Sequence, residues 1–134
     1  MIDYQFIKTK KIQLKSCNNW LEQVVATENK KLGDIIFVFC KDDYLLEKNI
    51  TFLKHNTLTD VITFDYSKGE KITGDILISI DRVQENSRIF EVSFLNELNR
   101  VMVHGLLHLL GYNDKNKKDA KLMKSKEDFY LSNK

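Results

Sequence analysis

The chain has no proline, only two cysteines, and nowhere a run of about 18 apolar residues. The missing run excludes a membrane-spanning helix, and the N-terminal stretch MIDYQFIKTKKIQLKSC lacks the uninterrupted apolar segment of a secretory signal. A cytoplasmic location without a membrane partner is therefore expected. Cys17 and Cys40 lie in apolar-patterned segments without metal-ligand spacing, so they read as small buried hydrophobes and no structural disulfide is expected. The absence of proline bears on no function. Charge of one sign is also scarce: 21 Lys and Arg face 19 Asp and Glu, a surplus too small to identify a nucleic-acid partner by itself.

What is present fits one ordinary soluble domain. Apolar residues make up 43% and charged residues 30% of 134 positions, which excludes disorder and fibrous repeats. A chain of this length buries roughly two-thirds of its unfolded surface, enough for one core. No repeat, linker or low-complexity stretch divides it, so residues 1–134 are expected to form a single domain.

Tyr4 and Phe6 alternate with polar residues, as in a strand, and Leu14, Cys17, Leu21 and Val24 follow at helical spacing. The run IIFVFC suits a strand buried on both faces. Asp42 reads as the N-cap of a helix carrying Leu46, Ile50 and Leu53. Thr59 to Tyr66 and Gly74 to Ile80, separated by SKGEK, read as two paired strands. From Ser93 to Leu110 a long helix becomes apolar all round in its second half, which must be buried. A final helix carries Leu122, Met123, Phe129 and Leu131. The order predicts an α+β fold, a small mixed β-sheet packed with helices.

The chemistry concentrates in HGLLHLLGYND, residues 104–114. His104 and His108, four apart, share one helical face and can aim their rings at one point. Gly111 can end the helix in a left-handed conformation and return the chain so that Asp114 supplies a third ligand. Two buried histidines in an otherwise apolar helix would need two separate hydrogen-bond arrangements, whereas one cation satisfies both rings. Three protein ligands leave a position for water, as in catalytic zinc sites, so one Zn²⁺ or another divalent transition metal and a hydrolytic reaction are expected, with His104, His108 and Asp114 acting through the metal. The facial triad of non-haem iron enzymes is the rival pattern; the i, i+4 histidines favour a zincin-like helix. A peptidase of the H-E-x-x-H type would carry its base at the position of Gly105, which has none. Gly105 itself implies close approach by a backbone or substrate, or tight packing.

Lys115, Lys117, Lys118, Lys121, Lys124 and Lys126 crowd into twelve residues after this motif, opposed only by Asp119. Lys117, Lys118 and Lys121, with Lys54, are candidate phosphate contacts, against the alternative of an ordinary solvated face. His55 is a candidate acid or phosphate contact, against that of an exposed loop histidine. Thr59 and Asp60 read as local turn and strand residues.

These residues resemble the YbeY family of bacterial endoribonucleases. The family pattern H-G-x-L-H-L-x-G-Y-D-H corresponds to residues 104–114, its T-D-V-[LI]-[ST]-F to Thr59 through Phe64, its G-D-I to Gly74, Asp75 and Ile76, and its M-x-x-x-E to Met123 and Glu127. The resemblance implies a metal-binding helix in the core of a mixed sheet, zinc in a cleft, and single-strand-specific RNA cleavage in 16S rRNA 3′-end maturation and ribosome quality control. It also implies the ribosomal small subunit, one of its proteins and the Era GTPase as partners. Two positions depart from the family pattern: the third histidine ligand falls at Asp114, and an arginine tied to RNA function falls at Leu53. A metallopeptidase and a non-catalytic ribosome-assembly factor are the alternative functions.

Overall fold

A computed structural model describes residues 1–134. The elements run β1 (Ile2–Phe6), a 3-10 turn (Lys15–Cys17), α1 (Asn18–Thr27), β2 (Lys31–Cys40), α2 (Asp42–Lys48), a π-helical turn (Asn49–Leu53), β3 (Val61–Asp65), β4 (Lys71–Ser79), α3 (Ile80–Ile89), α4 (Phe94–Leu109) and α5 (Lys117–Ser132). The sheet order is β1-β2-β4-β3, with β1, β2 and β4 parallel and β3 antiparallel to β4 at the edge. This is the expected α+β architecture, and β3 and β4 form the expected pair. No helix is long and apolar enough to cross a membrane.

The apolar run of β2 is buried on both faces because helices lie on both. Ile35, Phe37 and Phe39 join a main core with α1, α3, α4 and α5, while Val38 and Cys40 join a smaller cluster with Leu45 of α2, Ile62 and Leu77. Cys17 and Cys40 are free and buried, one in each cluster.

Three local expectations are corrected. Asp42 is the first residue of α2 rather than its cap, which is the extended Lys41. The Asp42 N–H donates to Asp81 Oδ2 at 2.9 Å, so a carboxylate from α3 does the capping, and the Asp42 side chain instead accepts from Ser79 Oγ and Arg82 Nε. The buried face of this segment is Leu45 and Asn49, not Leu46, Ile50 and Leu53. Burying Asn49 is tolerable because its Nδ2 donates to the Thr57 carbonyl at 3.0 Å. Finally, α3 has no counterpart in the sequence reading. Its apolar contribution is only Ile80 and Val83, and what starts it is Ser79, whose hydroxyl accepts from the Arg82 N–H.

Gly105 is a packing glycine. A Cβ there would lie 2.6 Å from Ile76 Cγ2 of β4 and 3.4 Å from Val61 Cγ2, so the helix can rest on the sheet only without one. Gly105→Ala should therefore lower stability by about 1–2 kcal/mol, overpacking outweighing the roughly 1 kcal/mol that alanine gains in helix propensity. Equilibrium denaturation would show it, and an unchanged or raised midpoint would contradict the tight contact.

Candidate metal centre and its cleft

The centre is built by the second half of α4 and the turn after it. Every other side chain there packs inward: Val101, Met102, Val103, Leu106, Leu107 and Leu109 are buried. His104 and His108 alone remain half-open, on the stripe that faces the cleft. The helix ends at Leu109 with Leu110 as its C-cap, and Gly111 takes φ 104°, a left-handed conformation open to glycine. The Gly111 N–H donates to the His108 carbonyl at 3.0 Å and the Tyr112 N–H to that of Leu107 at 3.0 Å, the Schellman pair of bonds. The chain thereby reverses, and Asp114 returns over the imidazoles.

The three donor atoms form a compact triangle. His104 Nε2 and His108 Nε2 are 3.0 Å apart, and Asp114 Oδ2 is 3.4 Å from the first and 3.6 Å from the second. A tetrahedral cation with bonds of about 2.0–2.1 Å would hold its donors about 3.3–3.4 Å apart. The residues present fit such an ion.

The outer contacts show which atoms are available. The Tyr112 carbonyl can only accept, so His108 Nδ1, 3.0 Å from it, carries the proton. His104 Nδ1 lies 2.6 Å from Glu127 Oε2 and donates to that carboxylate. With both protons on Nδ1, two bare Nε2 lone pairs face each other, an arrangement that calls for a cation or a shared proton between them. Carboxylate and carbonyl partners of this kind fix the tautomer of metal-ligating histidines. Glu127 is in turn held by Arg100 Nη1 at 2.9 Å, while Arg100 Nη2 reaches Asp128 at 2.9 Å. On the other side, Tyr112 is anchored through its hydroxyl, which donates to Glu28 at 2.6 Å; Tyr130 and Lys126 bind the same carboxylate.

The protonation of the pair is unequal. Burial works against a charged His104, but the hydrogen bond and charge of Glu127, with Asp114 and Asp60, outweigh it and raise its pKa above the usual imidazole value. Burial and then the neighbouring His104 lower that of His108. Asp60, half-buried at the opposite wall, has its carboxyl pushed up by partial burial, against the pull of His104. Burial, with Asp60 close by, also raises the Glu97 carboxyl.

The cleft above the triangle has a volume of about 460 Å³, and its polar lining includes Thr59, Asp60, Glu97, Arg100, Asp114 and Glu127. Reading Asp60 as a local residue accounts for its carbonyl, which accepts from the Ser79 N–H, but not for its side chain, which faces this cleft and accepts from Asn86 Nδ2 at 3.5 Å. The Thr59 hydroxyl makes a local bond to the Val61 carbonyl at 3.4 Å. Lys117, Lys118 and Lys121 are exposed on the first turns of α5, outside the cleft lining; Lys124 lines the adjoining cavity and is bonded to Asp128. Lys54, in a left-handed conformation, and His55 are exposed beyond the π-helical turn and also lie outside the lining. Leu53, 37% exposed, lies in that turn.

Fold and site together define a class: α+β domains that carry two helical histidines and a returning carboxylate at the mouth of a cleft. Residues 3–134 match the family described as Endoribonuclease YbeY. A relative of that name in Flavobacterium psychrophilum is 57% identical over 110 residues, covering 82% of this chain and 79% of its own. Another, in Phocaeicola vulgatus, is 42% identical over 134 residues, covering 98% and 97%. A Thermotoga maritima protein of known solution structure superposes with a TM-score of 0.71 at 30% identity, covering 98% of this chain and 87% of that one. The chain belongs to the YbeY endoribonuclease family.

Proposed function

We propose that this protein is a metal-dependent endoribonuclease that cuts single-stranded RNA, acting in 16S rRNA 3′-end maturation and ribosome quality control at the small subunit. Membership of a family described as endoribonucleases supports the reaction. The observation that carries the metal dependence is the donor triangle, with both rings turned by outer hydrogen bonds so that their free nitrogens converge. His104, His108 and Asp114 would hold one Zn²⁺ or a similar divalent transition metal. When bound, such an ion supplies Lewis acidity that polarises a phosphoryl oxygen and acidifies water.

The chain's own groups do the rest. Glu127 holds the Nδ1 proton of His104, and Arg100 Nη1, 2.9 Å from Glu127 Oε1, holds that carboxylate in place. The Tyr112 carbonyl holds the Nδ1 proton of His108. Asp60, with its raised pKa and its place in the cleft wall, is suited to giving or taking a proton at a ribose or leaving-group oxygen. Asp114, in place of a histidine, would bring a negative charge to a bound cation, strengthening its retention and lessening its Lewis acidity. The peptidase alternative is disfavoured because the position of its base, Gly105, is packed against Ile76.

Metal-loaded protein should cleave single-stranded ribosomal RNA and leave unfolded casein intact, and His108→Ala should lose the cleavage. Casein cleavage would favour the peptidase; neither activity, with ribosome binding kept, would favour the assembly factor.

The lysines of α5 act on binding rather than on chemistry. Lys117→Gln, Lys118→Gln and Lys121→Gln combined should reduce the slope of log affinity against log salt by up to about 2, since each phosphate neutralised on a single strand contributes about 0.7 to it. Turnover at saturating RNA should not change. An unaltered slope would assign these lysines to an ordinary solvated face.

A further inference from the structure

The catalytic cleft is poorly equipped to grip RNA. Its carboxylates are Asp60, Glu97, Asp114 and Glu127; Arg100 is paired with Glu127 and Asp128, and Lys124 with Asp128. Apart from a cation held by the triangle, phosphates entering it meet mostly acid, so further affinity for the strand comes from elsewhere on the surface.

The opposite face of the sheet carries a groove of about 330 Å³, within the usual range of small-ligand sites. Its floor follows from strand register: Gln5, Val38 and Leu77 are aligned across β1, β2 and β4, and Asp75 is paired with Phe64 of β3. Its walls are aromatic. Tyr44 comes from α2, Phe52 from the π-helical turn, and Tyr66 from just beyond β3. Phe52 and Tyr66 are 60% and 57% exposed, as open as the single Phe90 of the cleft at 59%, but here two such rings share one groove. Phe52 stands edge-on to Phe64, with ring centroids 5.8 Å apart. Lys48 Nζ hangs over this wall, 5.2 Å from the Tyr44 ring and 5.5 Å from that of Phe52.

We infer that this groove binds one unstacked nucleotide of the RNA strand, its base stacked on Phe52 and Tyr66, its phosphate met by Lys48 and its edge read by Gln5 and Asp75. The inference rests on the reading of the protein as a ribonuclease. Rings open to solvent stack bases irrespective of sequence, and sheet faces dressed with aromatics are a recurrent platform for single strands. A carboxylate and an amide beside the rings supply acceptors and donors for base edges, and a lysine at the rim supplies the opposite charge to a phosphate. Edge strand β3 joins the two sites: Val61 near its start lines the cleft, and Phe64 and Tyr66 at its end line the groove. Five residues of strand span about 16 Å, a distance that a few nucleotides bridge around the edge.

The test uses a twelve-nucleotide single-stranded 2′-O-methyl RNA of mixed sequence, its affinity measured by fluorescence anisotropy. Phe52→Ala and Tyr66→Ala should each weaken binding about 5- to 150-fold, the range for loss of one base–aromatic stack, while thermal melts stay close to wild type because both rings are largely exposed. Lys48→Gln should lower the salt slope by about one. In Phe52→Trp the RNA should quench the new indole, whereas wild type, with Trp20 7% exposed, should show little quenching. Wild-type affinity in Phe52→Ala and Tyr66→Ala, with no quenching in Phe52→Trp, would overturn the inference and leave the face to a protein partner. If wild-type protein binds no RNA at all, the ribonuclease reading falls together with it.

Discussion

Asp114→Ala should weaken metal binding by about 10²- to 10⁴-fold and abolish RNA cleavage with it. The estimate takes one ligand of three as about 3–5 kcal/mol of a site worth roughly 10–16 kcal/mol. Asp114 is 41% exposed and closes the triangle from outside the helix, so its removal leaves the core untouched and the fold should survive. Asp114→His should restore metal where the longer ring reaches, and should make the bound water more acidic because a neutral ligand replaces an anion, moving the activity profile to lower pH. Metal content and cleavage measured on both variants at one pH series would decide. A full equivalent of tightly held metal in Asp114→Ala would place the third ligand elsewhere.

Glu127→Gln should cost about 10- to 100-fold in metal affinity, the usual effect of losing the partner that orients a ligating histidine. It should also change the pH dependence. In the metal-free protein a proton on His104 competes with the cation, and Glu127 is the main reason that proton is held above the ordinary imidazole pKa. Wild-type affinity should therefore climb with pH and level off only above about 6.5, the reference value that His104 exceeds. The glutamine variant loses the charge, so its plateau should be lower and should begin at lower pH. A pH series of competition titrations with a zinc indicator checks both. Equal curves for the two proteins would remove Glu127 from the account.

The three proposed ligands were legible in the sequence because they lie within eleven consecutive residues, where helix periodicity and one glycine decide the geometry. Glu127 and Asp60 lie 23 and 44 positions from His104, and only the packing of α5 and the edge position of β3 bring them to the cleft. Glu127 sits among Met123 and Tyr130 on the buried stripe of α5, where a carboxylate signals a partner in the core, but no spacing rule names His104 as that partner. The sheet was readable from the apolar run of β2 and the turn between β3 and β4. Helix α3 was not, because it presents too few apolar residues to show a period, and the inward face of α2 is hidden in the sequence because the polar Asn49, not Ile50, is the buried residue. The aromatic groove is illegible in the sequence for a related reason: Phe52, Phe64 and Tyr66 look like ordinary core residues until the sheet shows that Phe52 and Tyr66 stay exposed.

The central claim, one divalent cation held by His104, His108 and Asp114 and needed for RNA cleavage, is tested most directly by anomalous diffraction at the metal edge from crystals of active protein. The account predicts a single strong peak about 2.0–2.2 Å from both Nε2 atoms and a carboxylate oxygen of Asp114. It also predicts that chelation of the ion which removes that peak removes cleavage in solution. Cleavage that persists at full rate in chelator, or a peak bound away from these three residues, would contradict it.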